Sequence, residues 1–512
     1  MRYLRTIRWV VATVSLVLVS VFFLDLANLV PPFIISSILS VQAGPTFIRL
    51  LSGWGAALAG VGFVLAATVM VGRVYCSHLC PLGTLQDIFI WSAKKNFKHR
   101  KFPYSKPRYL LHYVISVIIV ASAAAGSFFL LDLFEPFSAF GRILSDIVRP
   151  LFILLNNAAA LILTKQQLFF LYEIPLKGLA LPVVAVTTVF VGALFWLSYF
   201  YGRFFCNTIC PVGGVLSLLS RFSIFRITID NEHCIDCGLC ERVCRARCID
   251  SEKREIDFAA CVGCFDCLSS CPTVGMKYSY KKNNQPAPAP VDAERRKVLT
   301  AASISMFWLA MPKETASAAE PTYDETRKTP VVAPGGRSIQ HFTDHCTACH
   351  LCVSTCPTHV LQPSFLEFGI AGMMQPRMDY SVSYCNFDCT LCGQVCPTGA
   401  LQPVLHEEKK LLQIGKAHFV KADCIVETKK TDCGACSEHC PTKAVKMVPY
   451  GKLLIPEVDD QYCVGCGACE HACPVTPRKA IFVMANEVHA IAKKREETKI
   501  AAPVATPEEF PF

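Results

Sequence analysis

The sequence predicts two architectures in one chain: a membrane α-helical part, built as a four-span bundle, and a series of small α+β units wound around cysteines. Three observations carry this. Mean hydropathy is +0.38 over 512 residues, 52% of them hydrophobic, which is high for a chain without membrane segments. Four apolar runs have the length of a membrane helix. And 29 cysteines fall almost entirely into regular sets. A disulfide scaffold is excluded, because such scaffolds are short chains that lack other means of building a core.

The four runs are Trp9–Leu24, Trp54–Val71, Leu110–Leu131 and Leu179–Phe200, each close to the ~20 residues that cross hydrocarbon as a helix. The first is expected to continue toward Val30, where Pro31-Pro32 stops it. Pro150–Leu163 is apolar but short, and reads as interfacial or re-entrant. Arg2, Arg5 and Arg8 precede the first run, and residues 73–108 hold eight Lys/Arg against the single acid Asp87. The connection from Asp132 to Glu173 holds three basic and four acidic residues. The positive-inside rule then puts the N-terminus and residues 73–108 in the cytoplasm and 132–173 outside. Net charge is +10, but it is divided: residues 1–311 carry 30 basic and 17 acidic side chains, residues 312–512 carry 20 and 23. That division suits a membrane half with a basic cytoplasmic face and gives no basis for nucleic-acid binding.

The membrane half repeats itself. Gly72-Arg73-Val74-Tyr75-Cys76-Ser77-His78-Leu79-Cys80-Pro81 follows the second run, and Gly202-Arg203-Phe204-Phe205-Cys206-Asn207-Thr208-Ile209-Cys210-Pro211 follows the fourth. A spacing of four puts the cysteines of each pair on one side of a helical turn. If the pairs meet, Cys76, Cys80, Cys206 and Cys210 supply four ligands to one metal or cluster; otherwise they are packing corners with free thiols.

Six further sets of four follow. Cys234, Cys237, Cys240 and Cys244 have the spacing C-x2-C-x2-C-x3-C, repeated by Cys261, Cys264, Cys267 and Cys271 before Pro272. Then come Cys346, Cys349, Cys352 and Cys356 before Pro357, and Cys385, Cys389, Cys392 and Cys396 before Pro397, with a longer first gap. Cys424, Cys433, Cys436 and Cys440 precede Pro441, and Cys463, Cys466, Cys469 and Cys473 precede Pro474. A tight loop of three cysteines holds three corners of a cubane, while the cysteine before the proline reaches the neighbouring cluster. The first two motifs therefore exchange fourth ligands: Cys271 joins Cys234, Cys237 and Cys240, and Cys244 joins Cys261, Cys264 and Cys267. Zinc also uses C-x2-C pairs, but a close triplet followed by Cys-Pro, six times over, is the bacterial-ferredoxin pattern of a [4Fe–4S] site. The expectation is six [4Fe–4S] clusters. Arg245 replaces the proline of the first motif, and the leftover Cys248 makes its fourth ligand ambiguous. Cys346-Thr347-Ala348-Cys349-His350 also matches the haem-attachment pattern C-x-x-C-H, yet haem would take two thiols that the ferredoxin spacing needs. His350 is then a neighbour that tunes a cluster by hydrogen bonding.

The expected domains are 1–222, the four-helix membrane domain; 223–280, a two-cluster unit; 281–320, a linker; 321–484, a four-cluster unit; and 485–512, a flexible tail rich in Lys, Glu, Ala and Pro. Within the linker, Arg295-Arg296, an apolar run to Met311 and small residues through Ala319 read as a twin-arginine export signal or as a basic segment before a surface helix.

Residues 1–280 resemble the NapH-type membrane ferredoxin proteins, with the nitrous-oxide reductase regulator as a more distant likeness. Residues 294–480 resemble the NapG/MauM-type exported ferredoxins, so the chain looks like a fusion of two partners. The resemblance implies a quinol dehydrogenase module of the bacterial inner membrane, with the N-terminus cytoplasmic and the four-cluster unit periplasmic. It would draw on the membrane quinone pool, feed a periplasmic reductase or cytochrome, and work with other membrane subunits. It also implies that the last four motifs pair first with fourth and second with third: Cys473 with the Cys346 triplet, Cys356 with the Cys463 triplet, Cys440 with the Cys385 triplet and Cys396 with the Cys424 triplet. Quinol oxidation calls for proton acceptors at the membrane edge; Asp25, Asp132 and Glu135 are the candidates, each equally readable as an ordinary interfacial residue. The alternatives are a maturation factor that supplies electrons for building a partner metalloenzyme, and electron flow in reverse, from a cytoplasmic donor to quinone. No G-x-G-x-x-G fingerprint follows a strand pattern, so terminal chemistry requires a partner.

Overall fold

The computed structural model describes residues 2–51, 55, 57–96, 102–106, 108–124, 128–176, 178–280 and 329–494. The linker with its twin arginines lies outside the described residues.

Helix α1, Arg2–Leu24, opens the chain. It ends earlier than the apolar composition suggests, because Asn28 turns left-handed (φ 51°) and the Asp25 carboxylate accepts from the Val30 amide at 2.8 Å. Next come α2, Pro32–Leu39, and α3, Ala43–Leu51, bent against each other by 94°. Two of the four expected spans are long helices: α1 and, further on, Leu181–Tyr201. The second and third are shorter, as α4, Ala57–Val71, and a later helix from Tyr109 to Ala124. Residues 73–108, expected as a cytoplasmic connection, contain α5, Tyr75–His78, and α6, Pro81–Asn96, both packed into the bundle.

Helix α7 is Tyr109–Ala124, followed by α8, Phe129–Phe134, and α9, Pro136–Arg142. A π-helical turn, Ile143–Val148, leads into α10, Arg149–Lys165. Pro150–Leu163, short by composition, is thus part of a 30-residue helical run, Pro136–Lys165, long and apolar enough to cross a membrane. The chain then folds back along α10: Asn157 exchanges hydrogen bonds with Ile174 at 2.8 and 2.9 Å. Helix α11, Leu181–Tyr201, follows, and then α12, Phe204–Thr208, and α13, Pro211–Ser220. In all, three described helices are long and apolar enough to cross a membrane, or four if α2 and α3 form one broken span.

Antiparallel strands β1, Phe225–Ile229, and β4, Met276–Tyr280, enclose the first two cysteine motifs; β2, Ile249–Asp250, pairs with β3, Glu255–Ile256. The later motifs lie among β5, Leu361–Pro363, with β6, Pro376–Met378; β7, Leu412–Phe419, with β10, Ile481–Ile491; and β8, Val445–Tyr450, with β9, Leu453–Val458. Residues 485–491, expected to start a tail, are strand: Ala490 and Ile491 pair with Gln413 and Leu412 beyond a bulge, so their backbone bonds are met in the sheet.

The two groups of motifs cap opposite ends of α1. At its N-terminal end Arg5 pairs with Asp266 at 3.2 Å. At the other end Phe23 lies beside Gly141 and, past it, the Cys349 carbonyl. Eighteen residues of α-helix separate these two contacts, about 27 Å.

Candidate metal centres

The ferredoxin loops are built by backbone handedness. In four motifs the residues on either side of the second cysteine are left-handed: Asp236 and Gly238, Gly263 and Phe265, Ala348 and His350, Gly465 and Gly467. Two reversals around one cysteine wrap the triplet about a common point. The short helix that follows each loop supplies the third cysteine. The two irregular motifs depart here, since Thr390 and Gly434 have φ of −125° and −126°. Beyond the fourth cysteine the turn is shared again, with a left-handed residue three positions on at Arg247, Val274, His359, Gly399 and Lys443. Arg247 holds this place after Cys244, so Cys244 occupies the fourth-ligand position although Arg245 stands where the others have proline. Cys248 sits 3.6 Å from the Cys244 sulfur and lines the same cavity.

Cavities lie between the cysteines. One is lined by Cys234, Cys237, Cys240 and Cys271; another by Cys244, Cys261, Cys264 and Cys267. A third is lined by Cys424, Cys433, Cys436 and Cys473. That third cavity corrects the pairing implied by resemblance, which gave the Cys424 triplet Cys396. The remaining cysteines follow suit. Cys396 is the electrostatic neighbour of Cys346, Cys349 and Cys352; Cys356 of Cys385 and Cys392; Cys440 of Cys463, Cys466 and Cys469. In each adjacent pair of motifs the turn at the fourth cysteine brings that cysteine to the other motif's loop. The two motif pairs abut where the Cys385 amide donates to the Cys466 carbonyl at 2.9 Å.

Four cysteines around one cavity fit an iron–sulfur group, whose ligands are thiolates. Burial pushes the Cys240 thiol up to about 11 and the Cys436 thiol up to about 12, so filling these sites releases protons and is favoured as pH rises. In four Cys-Pro-Thr turns the threonine hydroxyl lies 3.6–3.9 Å from the cysteine sulfur: Thr273, Thr358, Thr398 and Thr442. A donor there favours the more negative, reduced state. Thr398→Val is therefore expected to lower one midpoint potential by about 20–40 mV in a redox titration, from a net bond of about 0.5–1 kcal/mol at 59 mV per 1.4 kcal/mol.

The four-motif unit is seated on the helices through its first loop. Gly141 touches the Cys349 carbonyl so closely that a Cβ would lie 2.4 Å from the oxygen. Arg142 donates to the Ala348 carbonyl at 3.3 Å, and the Ser145 and Ser354 hydroxyls meet at 2.6 Å. His350, fully buried, places Nδ1 2.8 Å from an Asp146 carboxylate oxygen and Nε2 2.8 Å from the Met374 carbonyl. Both ring nitrogens are thus engaged, Nδ1 across the junction and Nε2 within the four-motif unit, and neither is left for the expected hydrogen bond to a cluster. Asp132 and Glu135 are fully buried at this junction: Glu135 caps α9 through the Phe137 and Ser138 amides, and Asp132 lies near Arg142 and Gln375. Asp25 does the structural work of the turn after α1.

The membrane repeat closes on itself. Each Cys-x3-Cys pair spans a helix break, with Cys76 in α5 and Cys80 just before Pro81 opens α6, and Cys206 in α12 and Cys210 just before Pro211 opens α13. The repeats then cross over. Arg73 donates to the Cys206 carbonyl and Arg203 to the Cys76 carbonyl, both at 2.9 Å. Gly83 and Gly213 make the crossing possible, since a Cβ at either would stand 2.3 Å from one of those same carbonyl oxygens. All four cysteines consequently line one buried cavity. The crossed arginines were present in the repeat but carried no sequence signal of their partners.

A 4Fe–4S binding domain family matches residues 54–100, 183–229 and 392–413, and a 4Fe–4S dicluster domain family matches 345–400 and 431–476. The first dicluster match takes in two whole adjacent motifs, Cys346 to Cys396; the second starts after Cys424 and takes in Cys433, Cys436 and Cys440 with the last motif. The chain is 26% identical over 265 residues to an uncharacterised protein of Methanocaldococcus jannaschii, covering 47% of this chain and 85% of that one. It is 26% identical over 231 residues to YccM of Escherichia coli, described as an electron transport protein (43% and 55%). To the ferredoxin-type protein NapH of Haemophilus influenzae it is 23% identical over 265 residues (50% and 77%). No solved structure matches. The chain carries 4Fe–4S ferredoxin domains on apolar helices and is an iron–sulfur electron-transfer protein of the membrane, with homologues among ferredoxin-type membrane proteins.

Proposed function

We propose that this protein oxidises quinol in the bacterial inner membrane and passes the electrons outward to a periplasmic reductase. The N-terminal end of α1 faces the cytoplasm, and the four-motif unit lies outside. The observation that carries the reading is the buried seat of that unit on the helices, through Arg142, Ser145 and Asp146, beside the Cys346–Cys352 loop. It supports electron exit from the bundle directly into the first outer site. Six [4Fe–4S] clusters, held by the adjacent-motif ligand sets, would each take up and release one electron.

A cavity at the same junction suits the quinol head group. Ile153 and Val183 give it an apolar wall, while Asp146, Arg149 and Gln362 give it a polar edge. An apolar pocket with a few convergent polar groups is the usual form of a small-molecule site. Arg149 supports orientation of a ring oxygen there.

The test is anaerobic. The full chain is purified in detergent, iron and sulfide are counted, and duroquinol is added while the iron–sulfur absorbance is followed. Bleaching in wild type, slowed by Arg149→Gln at unchanged iron, is the expected result. Full iron with no bleaching overturns the quinol reading.

A further inference from the structure

We propose that Cys76, Cys80, Cys206 and Cys210 hold a seventh iron–sulfur centre inside the helical bundle, which joins the two groups of ferredoxin motifs into one electron path across the membrane. The inference rests on the iron–sulfur reading above, and not on quinol as the donor.

The first support is the kind of group that the cavity accepts. All four cysteines are at most 5% exposed, and they come from two distant repeats. A single tetrahedral ion about 2.3 Å from each sulfur would hold its ligands about 3.8 Å apart. Among the described residues, the three-residue group with ligand atoms within 4.8 Å of one another is the exposed Asp230, Glu232 and His233, and no three of these four sulfurs form another. The quartet is too open for one ion. The ferredoxin sulfurs share that openness, as a polynuclear cluster requires.

Charge is the second support. Arg73 is 1% exposed, and among the described residues no carboxylate lies within ion-pair distance of it. Its hydrogen bonds go to neutral acceptors, the Cys206 and Ala259 carbonyls and the Asn207 side chain. Its electrostatic partners are Cys76, Cys206 and Cys210. A buried guanidinium without an anion is costly. Four thiolates around an oxidised [2Fe–2S] or [4Fe–4S] core leave two negative charges, and Arg73, which has no carboxylate partner among the described residues, stands beside them; Arg203, on the other side, is already paired with Asp87.

Position is the third. One continuous buried core contains Cys264 of the first group, all four membrane cysteines and Cys349 of the second. On one side the Ser77 hydroxyl, next to Cys76, donates to the Gly263 carbonyl, next to Cys264, at 3.2 Å. On the other, Pro136 lines the cavity, and Gly141, five helical residues or about 8 Å further on, touches Cys349. The span of about 27 Å between the two groups is thereby divided. One electron arrives from the Cys264 side as a ferric iron of the centre becomes ferrous; it leaves toward Cys349 as that iron is reoxidised, and no proton moves.

The test compares the full chain with Cys80→Ser and, as a variant that keeps all ligands, Arg73→Gln. Wild type is expected to hold iron and sulfide beyond six cubanes, with one additional paramagnetic signal on reduction. Spectral type and temperature dependence tell a [2Fe–2S] from a [4Fe–4S] core. Cys80→Ser loses that increment and that signal, while Arg73→Gln retains both and moves the midpoint of that signal alone to lower potential. In liposomes with ferricyanide trapped inside and dithionite added outside, wild type reduces the trapped oxidant, and Cys80→Ser falls to the rate of protein-free vesicles. Six cubanes with no extra iron, or transmembrane reduction unchanged in Cys80→Ser, overturns the inference. A wild-type chain without ferredoxin iron overturns the reading beneath it, and the inference with it.

Discussion

Asp87→Asn is expected to destabilise the protein by about 3–5 kcal/mol, the cost of removing one partner from a buried ion pair. One fully buried carboxylate here meets three guanidiniums. Arg8 from α1 reaches one oxygen, Arg203 bonds both at 2.8 and 3.0 Å, and Arg245 from the two-motif unit lies at 3.0 Å. Asparagine keeps the shape and loses the charge, leaving Arg8 and Arg203 around a neutral amide while Arg245 keeps Asp266 at 2.7 Å. Because the three come from separate elements, the ends of α1 and α11 and the seat of the two-motif unit should loosen together. Thermal unfolding in detergent, followed by helical circular dichroism, measures the shift. Arg5→Ala is the matched control: that side chain is about half exposed and pairs with Asp266, so its loss should cost under about 1 kcal/mol. Equal effects of the two substitutions would show that Asp87 carries no special share of the charge balance.

Cys396→Ser and Cys473→Ser are expected to have opposite consequences for electron delivery. Cys396 completes the Cys346, Cys349 and Cys352 site, which touches the membrane helices. Losing it should remove the entry point to the outer unit, so that the other outer centres stay oxidised when the membrane part is reduced. Cys473 completes the Cys424, Cys433 and Cys436 site, which lies past the contact between Cys385 and Cys466. Losing it should remove one terminal signal and leave reduction of the others at the wild-type rate. Low-temperature electron paramagnetic resonance after rapid freezing distinguishes these outcomes. First-with-fourth pairing requires the reverse, with Cys473→Ser blocking entry.

The contrast between these sites explains what could be read in advance. The left-handed residues around the second cysteine of a motif are a local matter, set by a loop of seven residues, so spacing alone was enough to group those cysteines. Which fourth cysteine reaches which loop depends on how two motifs fold together, and a resemblance to other four-cluster chains gave the wrong partner. Asp132 and Glu135 carried a sequence signal only as acids beside an apolar run. Their burial beneath the Cys349 loop arises because another part of the chain, more than 200 positions on, covers them. Asp87, one acid in a basic stretch, gave no hint that three arginines converge on it.

By itself the sequence determined the local units: the apolar helices, the cysteine triplets and the twice-written Gly-Arg-x-aromatic-Cys segment. Each depends on residues within one helix or one loop, where backbone sterics and hydrophobicity act at short range. Only the tertiary structure decided which units meet. The crossed arginines that bring four membrane cysteines to one cavity, the exchange of ligands between adjacent motifs, and the single core running from Cys264 to Cys349 all join residues far apart in the chain. Their physical cause is the burial of charge and sulfur away from water, which requires partners that no local pattern specifies.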